Sequence, residues 1–105
     1  METSPQGLNA YVAVVRLHGG HDIATSRNLR EALDQLEGSV LLDLSDCGFI
    51  DSSVIYVIFS DAHTRSHQKH HLELLVPPEN RAITRTLEIA GAREVLTVHR
   101  SSPAG

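Results

Sequence analysis

The chain has 105 residues and a mass of 11.5 kDa, room for one domain around one hydrophobic core. Hydrophobic residues make up 41% and charged residues 21%, which excludes a disordered polar tail. Nine Lys and Arg against thirteen Asp and Glu leave a net charge of −4, and with no basic run this argues against binding nucleic acid through its phosphates.

In chain order, residues 1–7 are polar, contain Pro5 and Gly7, and are expected to be disordered. Residues 11–17 are rich in Val and predict a strand that stops at Gly19-Gly20, read as a turn. Asp22 and Thr25 are N-cap residue types. Leu29, Ala32, Leu33 and Leu36 then fall on one helical face, and Gly38 supplies a left-handed stop. Residues 40–44 form a nearly continuous apolar run, the pattern of a strand covered on both faces. A loop over 45–50 leads to Asp51-Ser52-Ser53, three capping types. The stretch 54–67 begins β-branched, as a strand would. Its length and the spacing of Ile55, Ile58, Phe59 and Ala62 favour a helix. Residues 72–76 predict a buried strand closed by Pro77-Pro78. Ile83, Leu87 and Ala90 mark a short helix ending at Gly91, residues 94–99 a last strand, and 100–105 a disordered tail. Strands and helices alternate, so the fold class is α/β: one domain over 8–99, a mostly parallel sheet of about four or five strands with right-handed crossovers.

Several function classes are excluded. The longest apolar run, 54–59, is too short to span a bilayer. No basic flank precedes an apolar N-terminal segment, so no signal peptide is visible. The single cysteine, Cys47, makes no internal disulfide and no Cys-based zinc module, which points to a reducing cytoplasm. There is no Gly-rich phosphate loop and no Gly-x-Ser-x-Gly elbow around Ser52 or Ser53, so no enzyme and no cofactor are expected. His63, His67, His70 and His71 crowd the end of the third element. His63 and His67, four apart, share a helix face and are the only metal-ligand candidates. With no third ligand placed by the spacing, they read as a polar helix end whose protonated rings suit the helix dipole.

Asp51-Ser52-Ser53 by itself reads as an N-cap. In a parallel α/β sheet, however, its loop and the Gly20-His21-Asp22 loop share the edge where ligands and partners bind. Asp22, Asp51, Ser52 and Ser53 are therefore expected on one surface.

From about residue 14 to residue 98 the chain resembles a STAS domain of the stand-alone anti-anti-sigma type (anti-sigma factor antagonists). The resemblance rests on 16–22, an apolar strand ending in Gly-x-x-Asp, and on 41–53, an aspartate-containing strand and loop followed by Asp-Ser-Ser. Residues 77–91 resemble the last shared helix. The resemblance implies a non-enzymatic bacterial binding protein. Unphosphorylated, it would bind an anti-sigma factor, a histidine-kinase-like serine kinase, and so free a sigma factor. Phosphorylation of Ser52 would switch it off, and a PP2C-type phosphatase would reset it. His21, Asp22, Asp51, Ser52, Ser53 and Val54 would form the partner surface. The alternative is a STAS-type scaffold in a stressosome-like or transporter-ATPase complex, not regulated through Ser52. Four departures are visible: Val54 stands where the family usually has Gly, the turn after the second helix, often Gly-containing in the family, is here His67 to His71, Pro5 interrupts the first strand, and the family's C-terminal helix is reduced or absent. The last leaves a face open to a homodimer.

Overall fold

The computed structural model describes residues 1–5, 10–21 and 23–103. Among them are strands β1 (Glu2–Pro5), β2 (Ala13–Arg16) and β3 (Gly19–His21), then helix α1 (Ile23–Asp34). Strands β4 (Val40–Asp43) and β5 (Cys47–Ile50) precede helix α2 (Ser52–His67). Strand β6 (Leu72–Leu75), helix α3 (Arg81–Ala90), a 3-10 turn (Ala92–Glu94) and strand β7 (Val98–His99) follow.

The main sheet has the order β1-β2-β4-β6-β7. β2, β4, β6 and β7 are parallel, and β1 closes one edge antiparallel to β2. The chain is thus a single α/β unit of the expected class. Its strand order settles where the helices go. From β2 to β7 each crossover steps the same way along the sheet, so right-handed connections deliver every helix to the same side. The core bears this out. Leu29 and Leu33 of α1, Val54, Val57 and Ile58 of α2, and Ile83 and Leu87 of α3 share one buried cluster with Val15, Leu42 and Leu74. The opposite face holds a separate small cluster, Tyr11, Val14, Leu41 and Leu75, with no helix residue in it. The apolar run of β4 is therefore buried on both faces, as its sequence implies, but helices cover only one.

The remaining differences from the sequence reading have local causes. Residues 2–5 form β1 rather than a disordered segment. Pro5 is tolerated because the strand lies at the sheet edge. Gly19-Gly20 is not a bare turn, and 47–50 is not loop. They are β3 and β5, a second parallel pair in which His21 aligns with Ile50. Gly20 allows a close approach there by the Phe49 side chain. A Cβ on it would lie 2.0 Å from Cε1 of Phe49, whose ring lies across it. Thr25 lies inside α1 rather than before it, whereas Asp22 lies outside the described residues. α1 ends at Asp34, four residues before Gly38. Gly38, at φ +124°, instead lets the chain pass under Val12, whose Cγ1 would be 2.5 Å from an added Cβ. α3 does end at Gly91, which adopts the left-handed conformation. The expected strand over 94–99 shrinks to β7, because Ala92–Glu94 continue α3 as a 3-10 turn.

Candidate functional site

The site lies where β3 and β5 extend beyond β2 and β4, at the carboxyl end of the parallel strands, and where β5 runs into α2. Asp51 is the N-cap of α2. Its Oδ1 accepts hydrogen bonds from the Ser53 amide at 3.0 Å, the Val54 amide at 3.2 Å and the Ser53 hydroxyl at 2.5 Å. One carboxylate oxygen thereby satisfies two orphan amides of the first turn and fixes the Ser53 side chain.

Ser52, the first residue of α2, is left out of this arrangement. It is exposed, and among the described residues its hydroxyl has no hydrogen-bond partner. The helix places its two serines in different roles: Ser53 is part of the cap, and Ser52 presents a free hydroxyl to solvent. A negative group there meets the positive end of the helix dipole but also the Asp51 carboxylate beside it.

The other expected residues divide. His21 ends β3, in register with Ile50, one residue before Asp51, so the two loops do converge in the backbone. Asp22 lies outside the described residues. Val54 is not a surface residue. It is 1% exposed, and its side chain packs in the core with Val57 and Ile58, so it offers a partner no contact. The first turn of a helix that lies on a sheet must turn one face inward, and Val54 is on that face. The branched side chain of Val54 is therefore directed away from Ser52's exposed side.

His63 and His67 do come together on the last turns of α2. Their Nε2 atoms are 3.2 Å apart and the rings meet edge to face. No group of three or more His, Cys, Asp or Glu side chains that could hold a metal occurs among the described residues.

Three features were not anticipated. Asn80, the N-cap of α3, donates from Nδ2 to the carbonyls of Leu44 at 2.8 Å and Cys47 at 2.9 Å, which holds β5 in place from across the loop. An Asn after Pro-Pro at a helix start signals a cap, but nothing in the sequence shows where its other end reaches. Arg65 is 4% exposed. It pairs with Asp61 through two hydrogen bonds of 2.9 Å and donates to the carbonyls of Leu33, Leu36 and Gly38, which ties α2 to the end of α1. Phe49 and Tyr56, half of the chain's four Phe and Tyr residues, are 54% and 67% exposed, on either side of Ser52 in sequence.

Two further polar groups are also perturbed. Burial pushes the Cys47 thiol up to about 11. On the open face of the sheet, Glu73 accepts from Tyr11 Oη at 2.5 Å and lies 2.7 Å from His99 Nε2. Burial alone would raise the Glu73 carboxyl, but the hydrogen bonds from Tyr11 and His99 outweigh it and hold the group below the usual range.

The class of protein follows from the singly wound sheet, the second small sheet at its carboxyl edge, and the aspartate-capped α2. The chain belongs to the STAS-domain family, matching over residues 7–97 the family model described as "Mlab, STAS domain". No curated protein matches it in sequence. Among solved structures, it is similar to a Thermotoga maritima protein provisionally designated an anti-sigma factor antagonist. The TM-score is 0.81 at 16% identity, covering 95% of this chain and 86% of that one. It is also similar to the anti-sigma factor antagonist SpoIIAA in its unphosphorylated form, with TM-score 0.71, 14% identity, and 96% and 90% of the two chains covered. The phosphorylated form of the Bacillus cell fate determinant SpoIIAA aligns with TM-score 0.70 at 13% identity, over 97% and 93%. At these identities the likeness is one of fold. Among the described residues no helix is long and apolar enough to cross a membrane.

Proposed function

We propose that this chain is an anti-sigma factor antagonist, a non-enzymatic binding module of the cytoplasm. Its unphosphorylated form binds an anti-sigma factor of the serine-kinase type and so frees a sigma factor. Phosphorylation of Ser52 abolishes that binding, and a PP2C-type phosphatase restores it. His21, Asp22, Asp51, Ser52 and Ser53 line the contact surface. The observation that carries the reading is the free, exposed hydroxyl of Ser52 at the first position of α2, beside a serine that is already committed to the cap. The two structural neighbours described as anti-sigma factor antagonists, one of them solved also in a phosphorylated form, support it.

A phosphate on Ser52 adds about −1.5 to −2 charge at neutral pH. The helix N-terminus offsets part of the cost by about 0.3–1 kcal/mol, and the neighbouring Asp51 carboxylate opposes it. The balance is small beside the stability of a domain this size, so the modified protein keeps its fold. The large effect falls on the partner. Two like charges 4 Å apart repel by about 4 kcal/mol at an effective dielectric of 20, and a third of that is about tenfold in affinity. Incubation with ATP and the anti-sigma kinase of the same cells tests this. The proposal expects one phosphate on the wild type, none on Ser52→Ala, and loss of the complex on modification.

The family description, which names Mlab rather than a sigma regulator, favours a second reading. In it the same surface docks into a stressosome-like or transporter-ATPase assembly and Ser52 stays unmodified. Stable binding to an ATPase subunit with no phosphate on Ser52 would select it.

A further inference from the structure

Beside the serine pair, α1 and α2 leave between them an open groove of about 350 Å³, lined by Ser26, Arg27, Arg30, Ser53, Tyr56 and Val57. Both arginines are exposed, and among the described residues neither is held in an ion pair. The Arg30 guanidinium lies over the Tyr56 ring, 5.9 Å from its centroid, so it is oriented before any partner arrives. Tyr56 is 67% exposed, while Val57 beneath it is buried and makes an apolar floor. Farther along the same helix pair Arg30 shares the lining with Asp34 and with Asp61, whose carboxylate is taken up by Arg65. The groove therefore presents two exposed guanidiniums on a chain whose net charge is −4.

We propose that this groove is the docking site for an acidic segment of the partner protein, laid with its carboxylates against Arg27 and Arg30 and an apolar side chain against Tyr56 and Val57. This rests on the reading of the chain as a binding module. The argument is charge complementarity. Two unpaired guanidiniums on a net-acidic surface attract carboxylates, and exposed Arg and Tyr are the residue types that carry interface energy. The placement also gives the modification at Ser52 a target. Ser53 lines the groove, so a phosphate on the adjacent residue adds negative charge at the end where the partner's own negative charge must sit.

The test is amide chemical-shift mapping of the isotope-labelled full chain. One titration uses a synthetic peptide rich in Asp and Glu with a central Leu and Phe. The other uses a control in which every acid is replaced by Lys. The proposal expects the acidic peptide to shift the amides of Ser26, Arg27, Arg30, Ser53 and Tyr56. It expects the control to leave them unmoved, and Arg27→Glu with Arg30→Glu to weaken the acidic peptide by about tenfold or more. Both arginines are exposed, so an unchanged urea midpoint shows that the double variant is folded. Equal shifts from both peptides, shifts from neither, or undiminished binding by the double variant would overturn the inference. Each of these outcomes is independent of whether a kinase modifies Ser52. A wild type that binds the acidic peptide but is never phosphorylated would uphold the groove and remove the sigma-regulator reading.

Discussion

Arg65 sets the relation between α1 and α2, and replacing it with Ala is the most severe single perturbation that the structure predicts outside the apolar core. The side chain is 5% exposed and its partner Asp61 12%. The guanidinium makes five hydrogen bonds of 2.8–3.1 Å: two to the Asp61 carboxylate and three to the carbonyls of Leu33, Leu36 and Gly38. Those carbonyls lie at and just beyond the end of α1, which lacks a glycine cap of its own, so the arginine serves as its C-terminal partner. Arg65→Ala leaves a nearly buried carboxylate and three carbonyls without it. Breaking a buried pair on one side costs about 3–5 kcal/mol. A domain of this size has about 5–15 kcal/mol in total, so the loss is a large fraction of it and lowers Tm by about 12 °C or more. Arg65→Lys, a point charge that cannot reach both carboxylate oxygens and three carbonyls, should fall between wild type and Ala. Urea unfolding of the single variants and of Asp61→Ala with Arg65→Ala measures this. The double variant should lose less than the two singles together, by about 0.5–3 kcal/mol. A cost below about 1 kcal/mol for Arg65→Ala, or strict additivity of the pair, would refute the reasoning.

Three further outcomes are expected. Asp51→Ala removes the cap of α2 and should cost about 0.5–2 kcal/mol, whereas Ser52→Ala should stay within about 0.5 kcal/mol of wild type; urea midpoints compare them. The carboxyl of Glu73 is depressed in the folded protein, so its contribution is present above the unfolded value of about 4.3 and is lost as pH falls through the lower folded value. Glu73→Gln should therefore flatten the acid limb of the stability curve, and an unaltered limb would contradict the hydrogen bonds from Tyr11 and His99. Cys47 is buried, with its thiol raised to about 11, so at pH 8 a thiol reagent should label it only as fast as the domain opens. Labelling at the rate of a free thiol would show that the β5 segment is not packed as described.

What could be read from the sequence divides along physical lines. α2 and α3 were legible because their ends are local chemistry: Asp51 binds amides within the first turn of α2, and Gly91 closes α3 in a conformation suited to glycine. β2, β4 and β6 were legible from their apolar runs. β3 and β5 were not, since three or four residues containing Gly19, Gly20 and Gly48 carry no strand signal. They pair only because β2 and β4 deliver them side by side and Phe49 finds room over Gly20. β1 was hidden by its polar residues and Pro5, which an edge strand accepts. The one-sided placement of helices is a property of strand order, which no single segment encodes. At the site, Asp51 and Ser52 stood out by residue type, but the different roles of Ser52 and Ser53, and the burial of Val54, depend on which face α2 turns to the sheet. The role of Arg65 was invisible for the same reason: the three carbonyls it holds are 27–32 residues away.

The central claim is that Ser52 is the switch of a binding surface. The measurement that tests it most directly is the affinity of the chain for its anti-sigma kinase before and after ATP-dependent modification, with the modified residue located by mass spectrometry. The account predicts one phosphate on Ser52, an unchanged fold, and affinity lowered about tenfold or more. A phosphate found elsewhere, or a complex equally tight with Ser52 modified, would contradict it.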